Sequence, residues 1–289
     1  MQTRKPIVAG QFYPARQSPC ITEIYECIRE GKPAESLPET IVAGIVPHAG
    51  WTFSGSLAAM VFSAIKQCCS VDTFVIFGAA HGYHGSSPAV YAQGSWLTPL
   101  GEVAVDEELA DSVLKTDTAV ADSSAHQDEH SIEVQVPFIQ HLFTGAKILP
   151  ILTPPNERSI SLGGVVGEII KQQKKKIVCI GSTDLTHYGP RYGFTPKGTG
   201  ANALQWASTV NDKEFIDFAV KLQPQEMLAS AAENLNACGA GAAAAAVAVA
   251  RKLGKTKGLL LAHTNSNKVM LEKMGTSCAE AVGYAAIVF

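Results

Sequence analysis

No run of this chain is apolar and long enough to cross a membrane. The longest stretch of small apolar residues covers 240–250, well short of the roughly 20 a spanning helix needs. No Cys-x-x-Cys pair occurs. The seven cysteines are odd in number and widely spread, which argues against a disulfide framework. Charge of one sign is not in excess either. A net charge of -3 gives no electrostatic footprint for nucleic acid or an anionic membrane surface. The one basic run, Lys174-Lys175-Lys176, reads as a solvated helix end before a strand. The opening residues, Met1 to Pro6, lack the apolar core of a secretory signal. The expectation is therefore a cytoplasmic protein without nucleic-acid or membrane partners. What is present is a 46% apolar, 17% charged composition, that of a globular chain with a deep core.

Strand-like and helix-like segments alternate through the 289 residues. Residues 41–46, 73–77 and 177–180 are short continuous apolar runs, as buried parallel strands require. Residues 147–152 form a similar run broken by Pro150, which predicts an edge strand. Helical patterns cover 54–68, with Ser54 as candidate cap, and a segment opened by Asp106 with Glu107 and Glu108 in its first turn. Others cover 131–142, with an interruption near Pro137, then 159–173, 212–221, 224–233 and 240–253. Residues 258–263 and 281–288 read as closing strands. The loop 188–200, rich in Gly, Pro and aromatics, is long enough to wall or cover a site. No repeat or linker divides the chain. The prediction is one α/β domain over 1–289, with a mainly parallel central sheet and helices on both faces.

Ligands bind outside the carboxyl ends of strands in such sheets. His48 follows the first buried strand, in Val46-Pro47-His48-Ala49-Gly50. His81 follows the second, in Gly78-Ala79-Ala80-His81-Gly82, and His187 the third, in Ser182-Thr183-Asp184-Leu185-Thr186-His187. A lone loop histidine is usually a surface residue. Three at equivalent strand ends point to a site, although spacing does not fix its chemistry. Cys238, in Asn236-Ala237-Cys238-Gly239, precedes a helix, whose amino end favours a thiolate, a good ligand beside imidazoles. Without the histidines it would read as a packed capping-region cysteine. Asp128-Glu129-His130-Ser131-Ile132-Glu133 carries two equal readings. One is a charged helix start capped by Ser131. The other places His130 and Glu133 in the pocket as proton donors or as partners of the ligands. Cys20, Cys27, Cys68, Cys69 and Cys179 read as structural, and Cys278 is left without a role.

Together these motifs resemble the Memo family, known in prokaryotes as AmmeMemoRadiSam system protein B. The opening Ala9-Gly10-Gln11-Phe12-Tyr13-Pro14, Pro47-His48-Ala49-Gly50 with Ser54-Gly55, Pro137, His187-Tyr188-Gly189 and Cys238-Gly239 add to the match, in one order from about residue 5 onward. The resemblance implies the fold of class III extradiol dioxygenases of the LigB type. Those enzymes hold non-haem Fe(II) with two histidines and a carboxylate. By motif, His48 and His81 match the histidine ligands and His187 the acid/base histidine. Cys238 stands where the carboxylate would be, which shifts the metal preference toward softer ions. The implied cofactor is Fe(II) or a copper ion. The implied activity is that of a metal-dependent oxidoreductase, dioxygenase-like, on a small organic substrate. Asp184 would orient His187 or add a ligand, and His130 would contact substrate. Two alternatives come with the family: a peptide- or protein-binding module that keeps the pocket, and an accessory protein with radical-SAM and AMMECR-type partners.

Overall fold

The computed structural model describes residues 2–33 and 36–289. Four strands form the centre of the large sheet and are parallel, in the order Ala43–Val46, Ile177–Ser182, Thr73–Gly78 and Lys147–Leu152. All but Lys147 in them are buried, which explains their near-continuous apolar runs. Their register sets Val46 beside Ser182 and Phe77 beside Gly181. The loops carrying His48, His81 and Asp184 to His187 therefore leave one edge of the sheet together. The strands that join this centre on either side run antiparallel to it. Ala281–Val288 pairs with Ala43–Val46, with His187–Tyr188 and with Leu259–Asn265, and Ala89–Val90 pairs with Lys147–Leu152.

Helices cover both faces, and two glycines show how closely. A Cβ on Gly44 would lie 2.7 Å from Val61 of helix Trp51–Cys68. One on Gly181 would lie 2.6 Å from the Ala242 carbonyl of helix Ala240–Lys252. Gly181 pairs with Ile45, the neighbour of Gly44, and successive residues of a strand face opposite ways. The two helices thus pack on opposite faces. The alanine-rich helix is buried along most of its length because it lies between the sheet and helix Glu157–Gln172.

Three expectations are corrected. Pro150 does not break its strand or mark an edge. It sits opposite Ile76 in the interior of the sheet, and its carbonyl still accepts the Tyr91 N–H. The predicted helix 131–142 is two pieces, the 3-10 turn Glu133–Gln135 and helix Val136–Leu142, and Pro137 sits in the first turn of the second, where no N–H partner is needed. Helix Trp51–Cys68 begins three residues before Ser54, after Gly50, and the Ser54 hydroxyl donates to the Ala49 carbonyl. Asp106 does cap its helix, accepting the Leu109 N–H. Among the described residues, no helix is long and apolar enough to cross a membrane.

The amino-terminal segment is locked down by one buried ion pair. Arg4 meets Glu133 at 2.6 Å, and the same carboxylate accepts the Ile7 and Val8 N–H groups and the Tyr13 hydroxyl. Beside it, His126 is fully buried, with Nε2 against the Ala89 carbonyl at 3.0 Å and Nδ1 without a partner. Burial, partly offset by that hydrogen bond and reinforced by Arg4, lowers its pKa to about 4. In an unfolded chain a histidine titrates near ~6.5. Between these values the unfolded chain takes up a proton that the folded protein refuses, so stability falls as pH drops through that window. His126→Gln is expected to flatten this slope, by on the order of 3 kcal/mol at pH 4. Urea unfolding across pH 7 to 4 measures it, and an unchanged slope would contradict the assignment.

Candidate metal centre

Five of the candidate residues reach one cavity of about 490 Å³ at the predicted sheet edge. His48, His81, His130, Asp184 and His187 line it. Behind them Cys238 places its sulfur 3.2 Å from His48 Nε2. The ligand atoms of His48, His81 and Cys238 all lie within 4.8 Å of one another. The rings of His81 and His130 stack at 5.1 Å, and His48 stands edge-on to both.

Hydrogen bonds fix which imidazole nitrogen is free. The Ser182 hydroxyl donates to the Ser131 carbonyl at 2.8 Å. Its oxygen can then only accept from His48 Nδ1, 3.1 Å away, which leaves Nε2 of His48 bare. His81 Nδ1 lies 3.1 Å from both oxygens of Glu129, so in the neutral ring Nδ1 carries the proton and Nε2 is bare too. His187 Nδ1 donates to the Leu185 carbonyl at 3.0 Å. All three histidines are therefore held as Nδ1–H tautomers, the arrangement that presents Nε2 to a metal or a proton.

The electrostatics follow from burial. His48 is held well below the ordinary histidine range by desolvation and by the imidazoles of His81 and His130. His81 is desolvated as well, but its bond to Glu129 more than offsets this and raises it. Burial alone would raise Glu129. Hydrogen bonds from His81 and the Ser131 N–H win and hold it at about 2. Asp184 is pushed up to about 7 by burial, against hydrogen bonds from the His48 and Ala49 N–H groups. Burial likewise lowers His187.

Some expected roles change. The Cys238 thiol is raised, not lowered: desolvation, with the charge of nearby Asp184, outweighs the hydrogen bonds at Asp184 and Thr183. Its S–H then donates to the bare His48 Nε2. Asp184 does not make the Nδ1 bond of His187, which goes to Leu185. Its Oδ1 accepts the His48 N–H at 2.7 Å and so fixes the backbone of a candidate ligand. Glu133 lies outside the pocket, tied to Arg4 and the amino-terminal segment. Ser131 does not cap a helix; its Oγ accepts the Ala79 N–H. Of loop 188–200, Arg191 and Tyr192 line the cavity wall, and Cys278 does so from the carboxyl-terminal region.

Glu129 and Ser182, which hold the histidines, were not expected in that role, although both lie within the same motifs. The usable signal was chemical. A metal-binding histidine needs its outer nitrogen fixed, and a carboxylate and a hydroxyl stood near the same strand ends. Ser182→Ala is expected to free the His48 ring and lower affinity for a divalent transition metal by about 10- to 100-fold. Competition with a chelating dye reads this out. Unchanged affinity would show that Ser182 does not orient His48.

Comparison with known proteins agrees with the residue pattern. The sequence model described as "Memo-like protein" matches residues 4–288. A MEMO1 family protein of Thermococcus onnurineus is 38% identical, with 99% of each chain aligned. One of Thermococcus kodakarensis is 37% identical over the same shares. One of Methanosarcina mazei is 35% identical, over 100% of this chain and 99% of the relative. Matched from end to end by that model and these relatives, the chain belongs to the Memo family.

Proposed function

We propose that the pocket is a metal-dependent redox centre acting on a small organic substrate, with iron or copper held by His48, His81 and Cys238. The observation that carries this reading is the convergence of one ring nitrogen from each of His48 and His81 with the Cys238 sulfur within 4.8 Å, each imidazole also hydrogen-bonded through Nδ1. Two imidazoles and a thiol suit iron, copper or zinc better than magnesium or calcium, which prefer oxygen. Iron or copper, when bound, would supply Lewis acidity and one-electron chemistry that side chains lack.

The remaining work falls to the chain itself. The Cys238 thiol must lose its proton for the sulfur to act as a ligand, so uptake of a cation releases a proton. Asp184, titrating near neutrality, can hold a proton beside the cavity. His187 offers a bare Nε2, and burial favours its neutral form, so it can accept a proton from a substrate and return it. His130, stacked on His81 and met edge-on by Phe12 at 4.9 Å, closes one wall. Phe53, Met270 and Tyr284 supply apolar lining that suits an organic guest.

Protein purified without oxygen or chelator is expected to carry near-stoichiometric iron or copper by elemental analysis. His48→Ala and Cys238→Ala should each lose most of it. His187→Ala should keep the metal and lose about 100- to 10,000-fold in oxygen-dependent turnover across a substrate screen. Full metal occupancy in both ligand variants would refute the assignment. So would an absence of metal after reconstitution with Fe(II) and Cu(I).

A further inference from the structure

One buried carboxylate lies outside the cavity yet reaches its proton-handling histidine through a single peptide group. Asp212 ends a π-helical turn, Ala207–Asp212, set between helices Ala201–Trp206 and Lys213–Val220. Such wide turns recur at functional sites because they re-aim side chains. Here Asn211 and Asp212 are both buried and both engage residue 186. Asn211 Nδ2 donates to the Thr186 hydroxyl at 3.0 Å, and Asp212 Oδ1 accepts the Thr186 N–H at 2.9 Å. The other oxygen, Oδ2, lies 3.0 Å from His263 Nε2.

The Thr186 N–H and the Leu185 carbonyl belong to the same planar peptide. Because that unit is rigid and trans, its N–H and its carbonyl point in opposite directions. Asp212 grips the N–H, and His187 Nδ1 donates to the carbonyl at 3.0 Å. We propose that Asp212 is a positioning residue for His187: acting through the Leu185–Thr186 peptide, it sets the plane of the carbonyl that fixes the Nδ1–H tautomer and leaves Nε2 toward the cavity. Hydrogen bonding at the N–H also polarises the carbonyl and strengthens the bond His187 makes to it.

The neighbouring strand makes room for this arrangement. A Cβ on Gly283 would lie 2.2 Å from Asp212 Oδ2 and 2.7 Å from its carboxyl carbon. The backbone of Gly283 holds the same segment from the other side, accepting the Leu185 N–H and donating to the Thr186 carbonyl. The segment is thus gripped from both sides, and a side chain at 283 would push the carboxylate out of its seat. The chemical importance of this device rests on the proton-transfer role proposed for His187, whereas its geometry can be tested in metal-free protein.

Long-range proton–nitrogen NMR of the metal-free protein with 15N-labelled histidine reads the tautomer of each ring. His187 is expected to show a single Nδ1–H form, its two nitrogens well separated. In Asp212→Ala that separation should collapse as both tautomers exchange, and Asp212→Asn, which keeps an acceptor oxygen for the Thr186 N–H, should restore it. Gly283→Ala should reproduce the collapse with Asp212 still present, and it decides the question if Asp212→Ala does not fold. His126, held as Nε2–H against the Ala89 carbonyl, serves as the internal control and should not change. An unaltered His187 signature in Asp212→Ala or Gly283→Ala would overturn the proposal. Simultaneous loss of the His126 signature would also overturn it, by showing a general structural role. Neither reading depends on metal binding or turnover, so failure of the redox assignment would leave this result intact.

Discussion

The arrangement depends on the pinning of imidazole outer nitrogens. A histidine offers one lone pair only if its other nitrogen carries the proton, and a fixed acceptor decides which one that is. Here the acceptors are a serine hydroxyl for His48, a carboxylate for His81 and a backbone carbonyl for His187. The Ser182 hydroxyl accepts from His48 because its own proton is committed to the Ser131 carbonyl. The chain from Ser131 through Ser182 to His48 therefore transmits backbone geometry to the face of the ring. The parallel register makes this possible, since it brings the ends of three strands and the 129–131 segment to one edge.

Burial sets the other half of the chemistry. His48 and Cys238 are both pushed toward their neutral forms, and Asp184 is raised to near neutrality. A pocket of neutral donors avoids the cost of unpaired buried charge. It also makes the approach of a cation and the departure of a proton one linked event. Glu129 and His81 are the exceptions: the hydrogen bonds Glu129 accepts keep it ionised, and its bond to His81 raises that ring's pKa.

Much of this was legible in the sequence. The buried strands read as apolar runs, and His48, His81 and His187 at their ends announced a shared edge. The antiparallel strands beside the centre were not legible, because pairing direction leaves little trace in short strands such as Ala89–Val90. Pro150 misled because its carbonyl still accepts inside the sheet, from the Tyr91 N–H. Cys238 was expected as a thiolate beside the histidines; the structure sets its sulfur 3.2 Å from His48 Nε2 with the thiol pKa raised. The helix amino end is a local feature visible in sequence, whereas the burial that desolvates the thiol, and the Asp184 charge beside it, depend on groups distant along the chain. Glu133 lay in the same motif as Glu129 yet went to Arg4, a partner 129 residues away. Asp212 was read only as the first residue of a helix, because a π turn has no composition of its own.

The most direct test is X-ray absorption at the metal edge of protein reconstituted anaerobically with Fe(II) or Cu(I). The expected result is a shell containing one sulfur at about 2.3 Å, the usual metal–thiolate length, together with imidazole nitrogens near ~2.0 Å. The sulfur should vanish in Cys238→Ala. A shell of oxygen and nitrogen alone in the unaltered protein would contradict the account, because the metal would then sit away from the site that His48, His81 and Cys238 form.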